Sequence, residues 1–114
     1  MRDYDLINQE FRKLVSSNLD MPYCVFVSVF KNEQILKELK QKKEKTEEDI
    51  RQLFKENKDK LEKFVIENQI YVYNPFQFLP AISLKMTGKQ ILELSKEEYV
   101  EYISRGDQPI FRAV

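Results

Sequence analysis

The stretch IYVYNPFQFLPAISLKMTGKQILELSKEEYVEYI, residues 70–103, decides the fold. Its opening, Ile70-Tyr-Val-Tyr, is rich in β-branched and aromatic residues and runs into Pro75, which has no N–H for a sheet ladder. After Pro80 the chain alternates, with Ile82, Leu84 and Met86 on one side and Ala81, Ser83 and Lys85 on the other. That is the period of a half-buried strand. Two strands around a short Pro-containing connection predict a hairpin. Thr87 with Gln90 three residues later reads as a capping box. Ile91, Leu92 and Leu94 give the following short helix its buried side, with an expected end near Glu98. YVEYI, residues 99–103, reads as a last strand.

Toward the N-terminus, Ile50, Leu53, Phe54, Leu61, Phe64 and Val65 form one stripe at helical spacing. Thr46 before Glu47, Glu48 and Asp49 looks like its N-cap, with acids where the helix dipole favours them. The spacing predicts a long amphipathic helix to about Asn68. Its intervening charges, mixed in sign and often four apart, read as a solvated face with local ion pairs. Residues 32–45 read as a second helical stretch with a thin stripe of Ile35, Leu36 and Leu39. YCVFVSVF, residues 23–30, reads as a central strand because both its faces are apolar. Residues 3–17 carry Ile7, Phe11, Leu14 and Val15 at helical spacing, and Met21-Pro22 ends that element.

From residue 23 the order is strand, helix, strand, strand, helix, strand. This predicts an α+β, ferredoxin-like βαββαβ antiparallel sheet with helices on one face. An extra N-terminal helix and a helical insertion after the first strand are added to it. The expected organisation is a helical extension over residues 1–20, the ferredoxin-like domain over residues 21–106, and an extended tail over residues 107–114. In this arrangement one sheet face is open and must meet solvent or a partner.

Composition narrows the function. The chain has 114 residues, enough for one modest core. Its 19 basic and 19 acidic side chains cancel, so a general attraction to nucleic acid or an anionic membrane is not expected. There is no histidine, and Cys24 is the one cysteine. No internal disulfide and no zinc site can be built from that, and most nucleophilic and transition-metal mechanisms lack their usual groups. Cys24 lies in an apolar run and reads as a small buried hydrophobe. Acid pairs such as Glu97-Glu98 and Glu47-Glu48-Asp49 are adjacent on helices and do not face each other, which makes them poor acid/base dyads. Glycine is too scarce for a phosphate loop. The expectation is a protein that is not an enzyme and uses no cofactor or metal.

Tyr71, Tyr73, Phe76 and Phe78 could form a base-stacking platform, since one RNA-binding module shares this strand order. The signature of that module is absent, and so is any basic excess. These aromatics read instead as sheet core or partner interface. The charged N-terminus lacks the apolar region of a secretory signal, and no segment approaches membrane-span length. If Met1 is the native start, a cytoplasmic location is expected; a piece cut from a larger precursor leaves location open.

The last parts together, Phe78, Pro80-Ala81, Ile82, Leu84, Thr87, Leu94, Val100, Ile103 and Asp107, resemble the second half of subtilisin propeptides and the free inhibitors related to them. Tyr23 to Phe30 fits the first strand of that family loosely. The resemblance covers about the last 40 residues well and rests on the order of parts. It implies a propeptide-type inhibitor and intramolecular chaperone whose open sheet face docks on a subtilisin-like serine protease. It further implies that Asp107 caps a protease helix, that Ser104 stands where the family often has Glu, and that the tail lies in the active-site cleft. That tail is Asp107, Gln108, Pro109, Ile110, Phe111, Arg112, Ala113 and Val114. Ser104 can accept a hydrogen bond but carries no charge. The alternative is a ferredoxin-like binding or regulatory module that dimerises through its sheet face. Arg105-Gly106-Asp107 also spells a tripeptide of cell-adhesion ligands. Here Arg105 reads as a surface charge, Gly106 as a positive-φ turn out of the last strand, and Asp107 as the cap.

Overall fold

The computed structural model describes residues 4–76 and 79–106. In chain order the elements are α1 (Gln9–Ser17), β1 (Pro22–Val29), α2 (Glu33–Lys40), α3 (Glu47–Glu67), β2 (Tyr71–Asn74), β3 (Ala81–Thr87), α4 (Gly88–Leu94) and β4 (Val100–Arg105). The four strands form one antiparallel sheet in the order β2-β3-β1-β4. The fold is α+β.

All helices cover the same face of the sheet. From the strands, the core takes Tyr23, Val25, Val27 and Val29, then Ile82, Leu84 and Met86, then Val100 and Ile103. These share one side of the pleat, and Phe11, Val15, Leu39, Phe54, Leu61, Val65, Ile91 and Leu94 from the four helices join them in one cluster. Burial of this apolar surface is the main stabilising term. Val100 and Ile103 are three apart, a spacing that an unbroken strand would send to opposite faces. A register shift solves this: Val29 faces Val100 and Val27 faces Ile103, so three steps on β4 match two on β1. That β-bulge puts both residues into the core.

The helix starts follow their caps. Thr87 accepts from the Gln90 amide at 3.2 Å, and the Gln90 side chain accepts from the Thr87 amide at 3.0 Å. Thr46 and Asp49 make the same reciprocal pair. The first helix is shorter than residues 3–17, because the Asn8 side chain accepts from the amides of Glu10 and Phe11 and caps it there. The residues before the cap are used differently. Leu6 and Ile7 run beside β4, where Ile7 bridges Ile103 and the Ile103 amide donates to Leu6 O at 2.9 Å. The second helix stops at Lys40 and the fourth at Leu94, also short of their expected ends.

The contact of α4 with α1 depends on Gly88. A Cβ there would lie 2.7 Å from Val15 O and 2.8 Å from Asn18 O, both backbone atoms. The close approach lets the Gly88 and Lys89 amides donate to Met21 O and Leu19 O, which satisfies donors that a helix start leaves orphaned. Gly to Ala at a helical position ordinarily gains about 1 kcal/mol. Gly88→Ala is expected to reverse that sign and cost about 2 kcal/mol, because backbone must move. A denaturant melt of the two proteins measures it; an unchanged or raised midpoint would show that the helices part without cost.

Candidate functional site: the sheet face away from the helices

The second face of the sheet is built from the alternate residues of the same strands. Cys24, Phe26 and Ser28 come from β1, and Ala81, Ser83 and Lys85 from β3. On β2, Tyr71 stands opposite Lys85 and Asn74 opposite Ser83. The register shift between Val72 and Asn74 inserts Tyr73 as an extra residue. Its ring meets that of Tyr71 edge to face, with centroids 5.0 Å apart. The two tyrosines are 62% and 50% exposed, so a large aromatic patch stands in solvent at this rim. On the other rim, Tyr102 and Ser104 of β4 lie opposite Ser28 and Phe26.

The expected open face is closed at its centre. Phe26 is only 6% exposed, and Ser28 and Ala81 are also buried. One cover is Phe76, whose ring packs edge to face on Phe26 at 5.4 Å. Phe76 holds a left-handed backbone, φ 47°, an uncommon conformation for a residue with a Cβ. Two groups hold it there. Asn74 Oδ1 accepts from the Phe76 amide at 2.9 Å. Lys58, reaching over from α3, donates to Pro75 O at 2.6 Å, Phe76 O at 2.8 Å and Leu79 O at 3.0 Å.

Lys58 is therefore no member of a solvated helix face; it is 8% exposed. Burial pushes its pKa below the ordinary lysine value. The three carbonyls act in the opposite direction: an ammonium has three N–H donors for three acceptors, whereas a neutral amine has only two. The ammonium also lies 5.4 Å from the centre of the Phe54 ring. Its neighbour Asn57 works in the same way, donating to Phe30 O at 2.8 Å. The sequence carried a signal for both residues. The apolar stripe of α3 runs through 50, 53, 54, 61, 64 and 65 and lacks a member at 57 or 58. Long polar side chains fill that gap and satisfy backbone carbonyls that would otherwise be buried unpaired.

Two expectations are corrected at the tail end of the sheet. Cys24 is exposed, not buried. It sits near the start of β1 on the helix-free face, where no helix covers it. Gly106 does not have a positive φ. What it supplies is space, since an added Cβ would lie 2.9 Å from Cys24 Sγ and 3.0 Å from Cys24 O. Its amide donates to Cys24 O at 2.7 Å and ties the end of β4 to β1. Ser104 is half-buried beside Phe26, with its Oγ 3.5 Å from Phe26 O, the outer limit of a hydrogen bond. Asp107, Gln108, Pro109, Ile110, Phe111, Arg112, Ala113 and Val114 lie outside the described residues, as does Phe78.

No group of acidic or cysteine side chains among the described residues is arranged to hold a metal ion. No helix among them is long and apolar enough to cross a membrane. No protein-family model matches the chain, and no curated protein matches it.

Proposed function

We propose that the chain is a propeptide-type inhibitor and folding chaperone of a subtilisin-like serine protease, built on a ferredoxin-like βαββαβ sheet. The sheet face away from the helices docks on the protease, and the C-terminal tail enters the active-site cleft. The observation that carries this reading is the tether at Gly106. β4 ends at Arg105, and the next residue, Gly106, is bonded to Cys24, so the point from which the proposed tail starts is tied to β1. A tail started from a rigid point loses less entropy on binding than a free peptide. Its docking as an added strand rests on main-chain hydrogen bonds and alternate side-chain subsites. The strand order β2-β3-β1-β4, with its two β-α units, supports the ferredoxin-like reading. A domain that binds the folded protease and not its unfolded chain also stabilises the folded one, which is the chaperone role.

The face offers Tyr71 and Tyr73 as exposed contacts, and large aromatics are frequent anchors of interfaces. Tyr73→Glu and Ser83→Arg are expected to weaken inhibition of a subtilisin-like protease by about tenfold or more, with little change in melting temperature. Inhibition assays on both variants measure this; full-strength inhibition by both would show that the face does not dock. The same tyrosine rim also favours a second reading, a module that dimerises through this face. Sedimentation distinguishes the two, since only that reading has a dimer in the free chain that these variants dissociate.

A further inference from the structure

The centre of the helix-free face is built to take one large group. Phe26 lies in a row across the sheet, opposite Ser83 of β3 on one side and Ser104 of β4 on the other. Both neighbours are small, so the Phe26 ring stands between low walls with room above it. The chain fills that room with a ring of its own. Phe76 meets Phe26 edge to face, with centroids 5.4 Å apart and planes at 71°, and Phe26 is left 6% exposed. This is one of the favoured geometries of an aromatic pair.

Phe76 is not placed as a core ring is. It lies beyond the end of β2, is half-buried, and has φ 47°. Glycine and asparagine take that backbone most easily, and a residue with a bulky side chain is strained there. What the position gains from phenylalanine is a ring over Phe26. The hydrogen bonds from Lys58 to Pro75 O and Phe76 O, and from the Phe76 amide to Asn74 Oδ1, act on the backbone. Rotation about the Phe76 Cα–Cβ bond therefore takes the ring off Phe26 without breaking them. Strained residues held by their surroundings are a common feature of ligand clamps. The resident group also fixes the chemistry of the site, since what it already accepts is a phenyl ring.

We propose that Phe26, between Ser83 and Ser104, receives an aromatic side chain of a partner protein, and that Phe76 occupies this site until the partner's ring replaces it. The proposal rests on the reading that this face docks, and it names the group that the face takes up. The test vacates the site in the full chain. Phe76→Gly removes the ring and suits the left-handed backbone, and Phe76→Asn does the same while keeping a side chain. N-acetylphenylalanine amide is the probe, followed by amide and aromatic NMR shifts. Saturable shifts at Phe26, Ser83 and Ser104 are expected in both variants, at about millimolar strength for so small a ligand. In the parent, where Phe76 competes, binding is expected to be at least about fivefold weaker. N-acetylleucine amide is expected to bind the variants about threefold more weakly than the aromatic probe. The proposal is overturned if neither variant gives saturable shifts at Phe26, if the parent binds the probe as tightly as the variants, or if the leucine probe binds as tightly as the aromatic one. No protease enters this experiment, so its failure is distinct from a failure of the docking reading, which the inhibition assays decide.

Discussion

Lys58→Met is expected to lower the unfolding free energy by about 3 kcal/mol, the cost of leaving buried carbonyls without their charged donor. For a domain of this size that is ~10 °C in melting temperature. The ammonium donates to Pro75 O, Phe76 O and Leu79 O at once, and methionine replaces its volume but none of its donors. Water can reach some of the freed carbonyls, which keeps the loss near the lower end of what three orphaned acceptors would cost. The effect is also local. Phe76 has a left-handed backbone that relaxes once its carbonyl is released, and its ring then leaves Phe26. Hydrogen exchange should accelerate at the Leu79 amide, which donates to Phe76 O at 3.0 Å, more than in the centre of β1. Lys58→Arg is a useful companion, since it keeps the charge and changes the donor geometry. A melting temperature for Lys58→Met within about 2 °C of the parent would mean that the lysine is not what holds the turn.

This lysine also marks where the sequence stopped being readable. Period and capping are local properties, so the alternation of β3, the stripe of α3, the N-cap at Thr46 and the capping box at Thr87 follow from spacing alone. The bulge in β4 is a relation between two strands. Its only local trace is the three-residue spacing of Val100 and Ile103, which conflicts with a simple strand. Lys58 reads as a surface charge because Lys is seldom buried. The gap at 57 and 58 in the α3 stripe marks its place, but its acceptors come from a turn some twenty residues away, which spacing within one helix cannot identify. The apolar run of residues 23–30 does not say which alternate positions the helices cover, so Cys24 reads as buried there although it is exposed. Gly106 reads as a positive-φ turn in the sequence, whereas its need is close contact with Cys24, again a long-range fact.

The N-terminal segment bears on how far the domain can stand alone. On the proposed reading, α1 is an addition to the propeptide-type domain. Here Phe11 and Val15 enter the common core, and Leu6 and Ile7 lie along β4. Tyr4 extends that cover by donating to Glu101 O at 2.6 Å. A sheet edge with its backbone groups used is a poorer template for unwanted pairing. These contacts add core to a small domain, where each buried residue counts for more. They favour folding before a partner is met, which an inhibitor acting in trans requires.

The central claim is that the last eight residues are the inhibitory part and that the folded sheet holds them in place. Removing Asp107 to Val114 separates these roles, because the chain then ends at Gly106 with its bond to Cys24 intact. Every described core residue remains in the shortened chain, so the melting temperature is expected to stay within about 2 °C. Inhibition of a subtilisin-like serine protease should fall by about a hundredfold or more, since the strand hydrogen bonds and subsite contacts go together. The free octapeptide should inhibit far more weakly than the intact chain, because nothing prepays its ordering. The decisive measurement is the inhibition constant of the intact and the truncated chain against one such protease, side by side. A large loss on truncation with an unchanged melt is the predicted result. Equal inhibition by both chains, or none by the intact one, would contradict the account.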